Sequence, residues 1–179
     1  LGPTDREHVA AAARLHAEAH QRRETNLRRL VASKAGWQLH VAVVGPIYGG
    51  SLPIARYVVS ALNELGHRVS WLDHSAHHTS YEAFGSFRED RHRLTVQSRF
   101  ADVLSLSAIT HIAEDPPDLV LAIAQAPLTL AVLQHLRKKK FPTAMWFVEN
   151  YRHLTYWQQL AGGYDYWFVF QRGACLDAF

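Results

Sequence analysis

The chain has 179 residues, of which 48% are hydrophobic and 20% charged, and its formal net charge is +3 with all 12 histidines neutral. That balance fits one globular domain with an appendage; it excludes a disordered polyelectrolyte and shows no basic excess that would argue for nucleic acid. A single cysteine, Cys175, excludes an intrachain disulfide and points to a reducing, cytoplasmic setting. No run of about 18 apolar residues predicts a membrane span, and the polar, Arg-rich start does not read as a signal peptide. The chain begins without methionine, Gly2-Pro3 resembles a cloning scar, and Phe179 follows soon after a strand. Both ends therefore read as cut, and a longer parent protein is expected.

Residues 1–36 predict a helical arm, with the helix from Thr4 to about Lys34, capped by Thr4 or Asp5 and ended at Ala35-Gly36. Its apolar positions are mostly alanines, and Arg14, Arg22, Arg23, Arg28 and Arg29 make it basic. Such a helix buries little alone and suits packing against the domain or a second copy, which would make a homo-oligomer. His16 and His20 stand at i, i+4, a metal-compatible spacing that lacks a third ligand.

Residues 37–179 predict a Rossmann-like α/β domain. A first strand, Leu39 to Val44, runs into Gly45-Pro46-Ile47-Tyr48-Gly49-Gly50-Ser51-Leu52-Pro53, and a helix follows to Leu65 with Ile54, Val58, Leu62 and Leu65 on one face. A second strand, Arg68 to Leu72, ends at Asp73. The polar stretch from His74 to Arg93 reads as a long loop with one short helical turn. A helix from Thr95 to about Ala113 stops at Pro116-Pro117. The third strand, Leu119 to Ala124, is continuously apolar, as in a parallel sheet covered on both faces. Gln125-Ala126-Pro127 turns into a helix that closes on Arg137-Lys138-Lys139-Lys140, a basic end complementing the helix dipole. A fourth strand, Thr143 to Val148, stops at Glu149-Asn150, and a helix or turn covers Tyr151 to Leu160. A fifth strand, Tyr166 to Phe170, precedes Gln171-Arg172-Gly173 and a final helical start. Alternation of this kind predicts a doubly wound parallel sheet of about five strands with helices on both faces and right-handed crossovers. Ligands in such sheets sit at the carboxyl ends of the strands.

The glycine-rich turn is the organising stretch. Gly49 and Gly50 lack Cβ atoms and let a ligand approach the main chain, where bare N–H groups at a helix start suit an anion. Ile47 breaks the dinucleotide fingerprint G-x-G-x-x-G, and Gly49-Gly50-Ser51 lacks the lysine of a Walker motif. No Asp-x-Asp, Cys-x-x-Cys, His-Glu-x-x-His or Gly-x-Ser-x-Gly motif appears. The His74, His77, His78 group reads as unliganded loop histidines, and Cys175 as structural. Asp73 and Glu149 each suit either a structural hydrogen bond, with Arg152 as a partner for Glu149, or contact with a ligand. Tyr48, Trp146, Tyr151 and Trp157 read as core or rim aromatics, one of which offers a face to a sugar ring.

Three segments in order carry a resemblance: Gly49-Gly50-Ser51-Leu52-Pro53-Ile54-Ala55, Trp146-Phe147-Val148-Glu149-Asn150-Tyr151-Arg152, and Tyr164-Asp165-Tyr166 leading into Phe168-Val169-Phe170-Gln171. From Trp37 to Phe179 the chain resembles the N-terminal domain of bacterial GT-B glycosyltransferases of the spore-maturation-protein-like family. The resemblance implies a metal-independent transferase without a cofactor, using a nucleoside-diphosphate sugar and an acceptor hydroxyl. Its second, C-terminal domain, which holds most of the donor, is absent from this chain, so the isolated chain is expected to lack ordinary turnover. The implied roles are Glu149 as the catalytic acid/base position and Tyr48, Gly49, Gly50, Ser51, Asp73, Gln125, Asn150 and Arg152 as ligand-binding. Asn150 stands where the family often has Asp. A non-catalytic Rossmann-like nucleotide-binding or assembly module, and an NAD(P)-dependent oxidoreductase domain, are the rival readings.

Overall fold

A computed structural model describes residues 38–178, together with positions 14, 17, 18, 21, 22, 24–26, 28 and 29. The chain divides into two units, Leu1–Trp37 and Gln38–Phe179. In the first unit the described positions are helical, and Arg28 pairs with Glu24 one turn away at 3.1 Å. The expected caps at Thr4 and Asp5, the His16/His20 pair and the Ala35-Gly36 stop lie outside the described residues.

The second unit alternates strand and helix. β1 (His40–Val44) leads through the glycine-rich turn to α1 (Ser51–Glu64), and β2 (Arg68–Leu72) follows. Short 3₁₀ turns at His74–His77 and Phe84–Ser86 flank α2 (His78–Ala83), and α3 spans Asp90–Glu114. Then come β3 (Leu119–Ile123), α4 (Leu130–Lys138), β4 (Thr143–Phe147), α5 (Trp157–Leu160), β5 (Tyr166–Val169) and α6 (Ala174–Ala178). The stretch expected to be a loop after Asp73 is thus largely helical, because Asp73 accepts a hydrogen bond from the Ser75 N–H and caps the first 3₁₀ turn. The segment expected as helix or turn from Tyr151 to Leu160 is turns as far as Tyr156 and helix from Trp157.

All five strands run parallel in the order β2-β1-β3-β4-β5. The order reverses between β1 and β3: the chain leaves β1 for the β2 side and returns to the other. Val44 pairs with Leu72 and with Ala122, Ile123 with Trp146, and Phe147 with Val169. This register brings the turns after β1, β3 and β4 to one edge of the sheet.

Both faces bury apolar side chains, as the continuous strand runs require. On one face Ala42, Val44, Val120, Ala122, Met145 and Phe147 pack with Ala108 and Ile112 of α3, Leu133 and Leu136 of α4, and Trp157. On the other, Val41, Val43 and Ile123 meet Ala55, Val58, Val59 and Leu62 of α1. Of the period read in α1, Val58 and Leu62 pack on this core, whereas Leu65 is the C-cap and is exposed; Ala55 and Val59 complete the buried face. On this second face β4 and β5 leave Trp146 and Phe168 exposed, at 38% and 55%. Among the described residues, no helix is long and apolar enough to cross a membrane.

Candidate functional site

The site is built on the turn between β1 and α1. Gly45 continues the ladder by donating its N–H to Leu72 O at 3.1 Å. A Cβ there would stand 2.2 Å from the Trp71 ring, so this glycine is required by packing. Gly49 has φ 98°, a conformation that costs an L side chain strain. Gly50, by contrast, is the N-cap of α1 in ordinary right-handed conformation, with no side-chain cap and nothing within 4 Å of where its Cβ would be. The N–H groups of Gly50 and Ser51 have no acceptor among the described residues. They are the unsatisfied donors of a helix start, carrying the positive end of the dipole.

Beneath this turn the carboxyl ends of β3 and β4 supply polar partners. The Ser51 hydroxyl, only 1% exposed, lies 3.0 Å from Ala124 O and 3.2 Å from Glu149 Oε1. One hydroxyl proton serves both acceptors, so it is shared between them. Gln125 Nε2 approaches the same Glu149 oxygen at 3.5 Å. Gln125 itself has φ 68°, a left-handed conformation rare outside glycine and a common mark of functional turns. Its Oε1 is enclosed, without a hydrogen-bond partner among the described residues, and would lie 2.8 Å from a Cβ on Gly49. Its N–H donates to the Tyr156 hydroxyl at 2.9 Å. Burial pushes that phenol up to about 12, with the Gln125 N–H opposing and the Glu149 charge adding to the rise.

The structure brings together four of the residues singled out from the sequence: Gly49, Ser51, Gln125 and Glu149. Gly50 frames them from the helix start. The others lie apart from this contact set. Tyr48 is 42% exposed and stacks on His78 with centroids 5.7 Å apart, with Tyr81 beside it at 5.3 Å. Asp73 caps Ser75 at 2.9 Å. Burial raises its carboxyl, and the Ser75 hydrogen bonds with the Arg56 charge outweigh that and hold it below the usual value. Asn150 accepts from the Arg152 N–H at 3.0 Å, a local turn. Arg152 donates its Nε to the Tyr151 hydroxyl at 3.0 Å and is exposed, so the expected pairing with Glu149 gives way to Ser51 and Gln125. Tyr156 was missed in the sequence. Nothing in its local pattern separates it from the neighbouring aromatics; only the fold sets its hydroxyl under the Gln125 N–H.

No protein-family model, curated protein or solved structure matches the chain.

Proposed function

We propose that residues 38–179 form the acceptor-side half of a GT-B glycosyltransferase that moves a sugar from a nucleoside-diphosphate donor to a hydroxyl. The reading is supported most by one arrangement: two N–H donors at the start of α1 without an acceptor among the described residues, beside a cluster of buried Ser51 with half-buried Glu149 and Gln125, at the point where strand order reverses. Open α/β sheets bind ligands there.

In this reading the N–H groups of Gly50 and Ser51 face the departing diphosphate. The acceptor oxygen attacks the anomeric carbon as the bond from that carbon to the phosphate oxygen breaks, and the electron pair leaves with the diphosphate. Glu149 takes the acceptor proton, its carboxylate oriented by Ser51 and Gln125. Negative charge develops on the leaving diphosphate, where preorganised backbone donors act most strongly. A second α/β domain across the cleft would supply the rest of the donor pocket. Arg152 has no role in it.

Calorimetric titration with a panel of nucleoside diphosphates and their sugar conjugates tests the proposal. Binding is expected, and Gly50→Val should weaken it by about tenfold or more, because the new side chain covers the donors while meeting no neighbour. Equal affinity in the variant, or binding of NAD(P) alone, would overturn the assignment.

A further inference from the structure

Away from the turn, a cavity of about 460 Å³ lies between β2 and α3. Its polar lining comes from both elements: Ser70 and Asp73 at β2, His77 from the 3₁₀ turn, Ser107 and His111 on successive turns of α3, and Asp115 just past its end. His74 joins it to the glycine-rich turn, its Nδ1 donating to Gly45 O at 3.2 Å. At the opposite end Asp115 is fixed by the Arg68 guanidinium and by the Ser70 hydroxyl at 3.2 Å. The Ser70 hydroxyl also meets His40 Nε2 at 2.8 Å.

We infer that this cavity binds a neutral polyhydroxylated ligand, a mono- or disaccharide unit. The volume falls in the range of small-ligand sites. The chemistry of the walls selects the class. Two carboxylates line the cavity and no lysine or arginine does, which disfavours an anion. No group of three His, Cys, Asp or Glu is placed to hold a metal among the described residues. Apolar side chains, Ala42, Trp71, Leu72 and Ile112, share the wall about equally with the polar groups; a hydrocarbon would leave that polar half unpaired, whereas a sugar offers both C–H and hydroxyl faces. Asp115 is paired with Arg68, and Asp73, besides accepting from the Ser75 N–H, lies in the field of Arg56, so a cation already acts on each carboxylate and the pull on an amine is reduced. What remains is a mixture of serine hydroxyls, imidazole nitrogens and carboxylate oxygens. A sugar hydroxyl, which donates one hydrogen bond and accepts two, matches such a wall. The His74 link to Gly45 makes the cavity the natural acceptor pocket of the proposed transferase; that assignment rests on the transferase reading, whereas saccharide binding stands on the cavity alone.

The test uses the 179-residue chain without nucleotide. Saturation-transfer NMR is run with glucose, galactose, N-acetylglucosamine and their disaccharides, with putrescine and inorganic phosphate as controls. A saccharide response is expected. Ser107→Phe should abolish it, since Ser107 is an exposed position of α3 from which a ring fills the cavity. His111→Trp, one turn on and also exposed, should do the same by an independent route. Asp73→Asn should weaken binding by about tenfold while keeping the cap. Nucleoside-diphosphate titration of Ser107→Phe should match the wild type, which separates failure of this inference from failure of the transferase reading. Silence toward every saccharide, an undiminished response in both filled variants, or a response to putrescine or phosphate alone would overturn the inference.

Discussion

At the scale of single residues, Gly49 and Gln125 constrain each other. Gly49 needs its positive φ, and its missing Cβ leaves room for the Gln125 amide. The amide is the end of a flexible side chain, so an alanine at position 49 is accommodated by moving it, at the cost of its contact with Glu149. Gly49→Ala should therefore destabilise the fold by about 1–3 kcal/mol and loosen the carboxylate together with it. Urea unfolding gives the first quantity. The second is read by comparing nucleoside-diphosphate titrations of this variant and of Gly50→Val: both should bind weakly, but only Gly49→Ala should also lose stability. The value of Gly49 and Ser51 was legible, because a strand, two glycines and a helix start already imply a bare-backbone turn. The strain at Gln125 was not, since glutamine has no intrinsic preference for φ 68° and takes it only under the surrounding chain.

At the scale of elements, α1 and α4 begin differently. α1 opens on Gly50 with no side-chain cap, leaving its donors for another acceptor. α4 opens on Thr129, whose Oγ1 accepts from the Val132 N–H at 3.4 Å, while the Thr129 N–H donates to Ser105 Oγ at 3.0 Å. Thr129 thus caps α4 and ties it to α3, the helix before it. Thr129→Ala should cost about 1 kcal/mol or somewhat more, seen as a lower urea midpoint with an unchanged slope. Binding at the glycine-rich turn should be unaffected. The contrast makes α1 the helix whose dipole end is left open to a ligand.

At the scale of the whole molecule, pH links the cavity wall to stability. His74 is 6% exposed, and burial holds its imidazole below its ordinary value of 6.5, with the Gly45 carbonyl opposing in part. A base whose folded value is depressed binds fewer protons in the fold than in the unfolded chain. Stability is therefore unaffected by His74 above about pH 6.5 and falls as pH drops below it. Asp73 and Asp115 are held below 3.8; for Asp115 the Arg68 hydrogen bond is the main cause. Their contribution is present above 3.8 and is lost as pH falls past it. Thermal unfolding followed from pH 7 down to about 2 should show a decline that starts near 6.5, and His74→Gln should flatten that first limb while leaving the more acidic one below 3.8.

The sequence by itself determined the class of fold. Parallel strands buried on both faces need unbroken apolar runs, and β1 and β3 display them; Val58 and Leu62 of the period read in α1 face the core. It also determined that the turn at Gly49–Ser51 would expose backbone donors, because that follows from local covalent geometry. The helical character after Asp73 was hidden by its polarity: α2 buries none of its side chains, so no apolar stripe marks it. Trp146, which reads as a core or rim aromatic, is on the rim, and Phe168 is exposed beside it, because α1 packs on β1 and β3 and leaves this part of the face open. Only the tertiary structure decided which donors the Glu149 carboxylate takes. Arg152 is three residues away and Ser51 is 98 residues away, yet sheet register brings Ser51 to Glu149 and local turn geometry holds Arg152 on Tyr151. The cavity between β2 and α3 belongs to the same category: one wall runs from Ser70 to His77 and the other from Ser107 to Asp115, and they meet only when the β2–α3–β3 crossover closes.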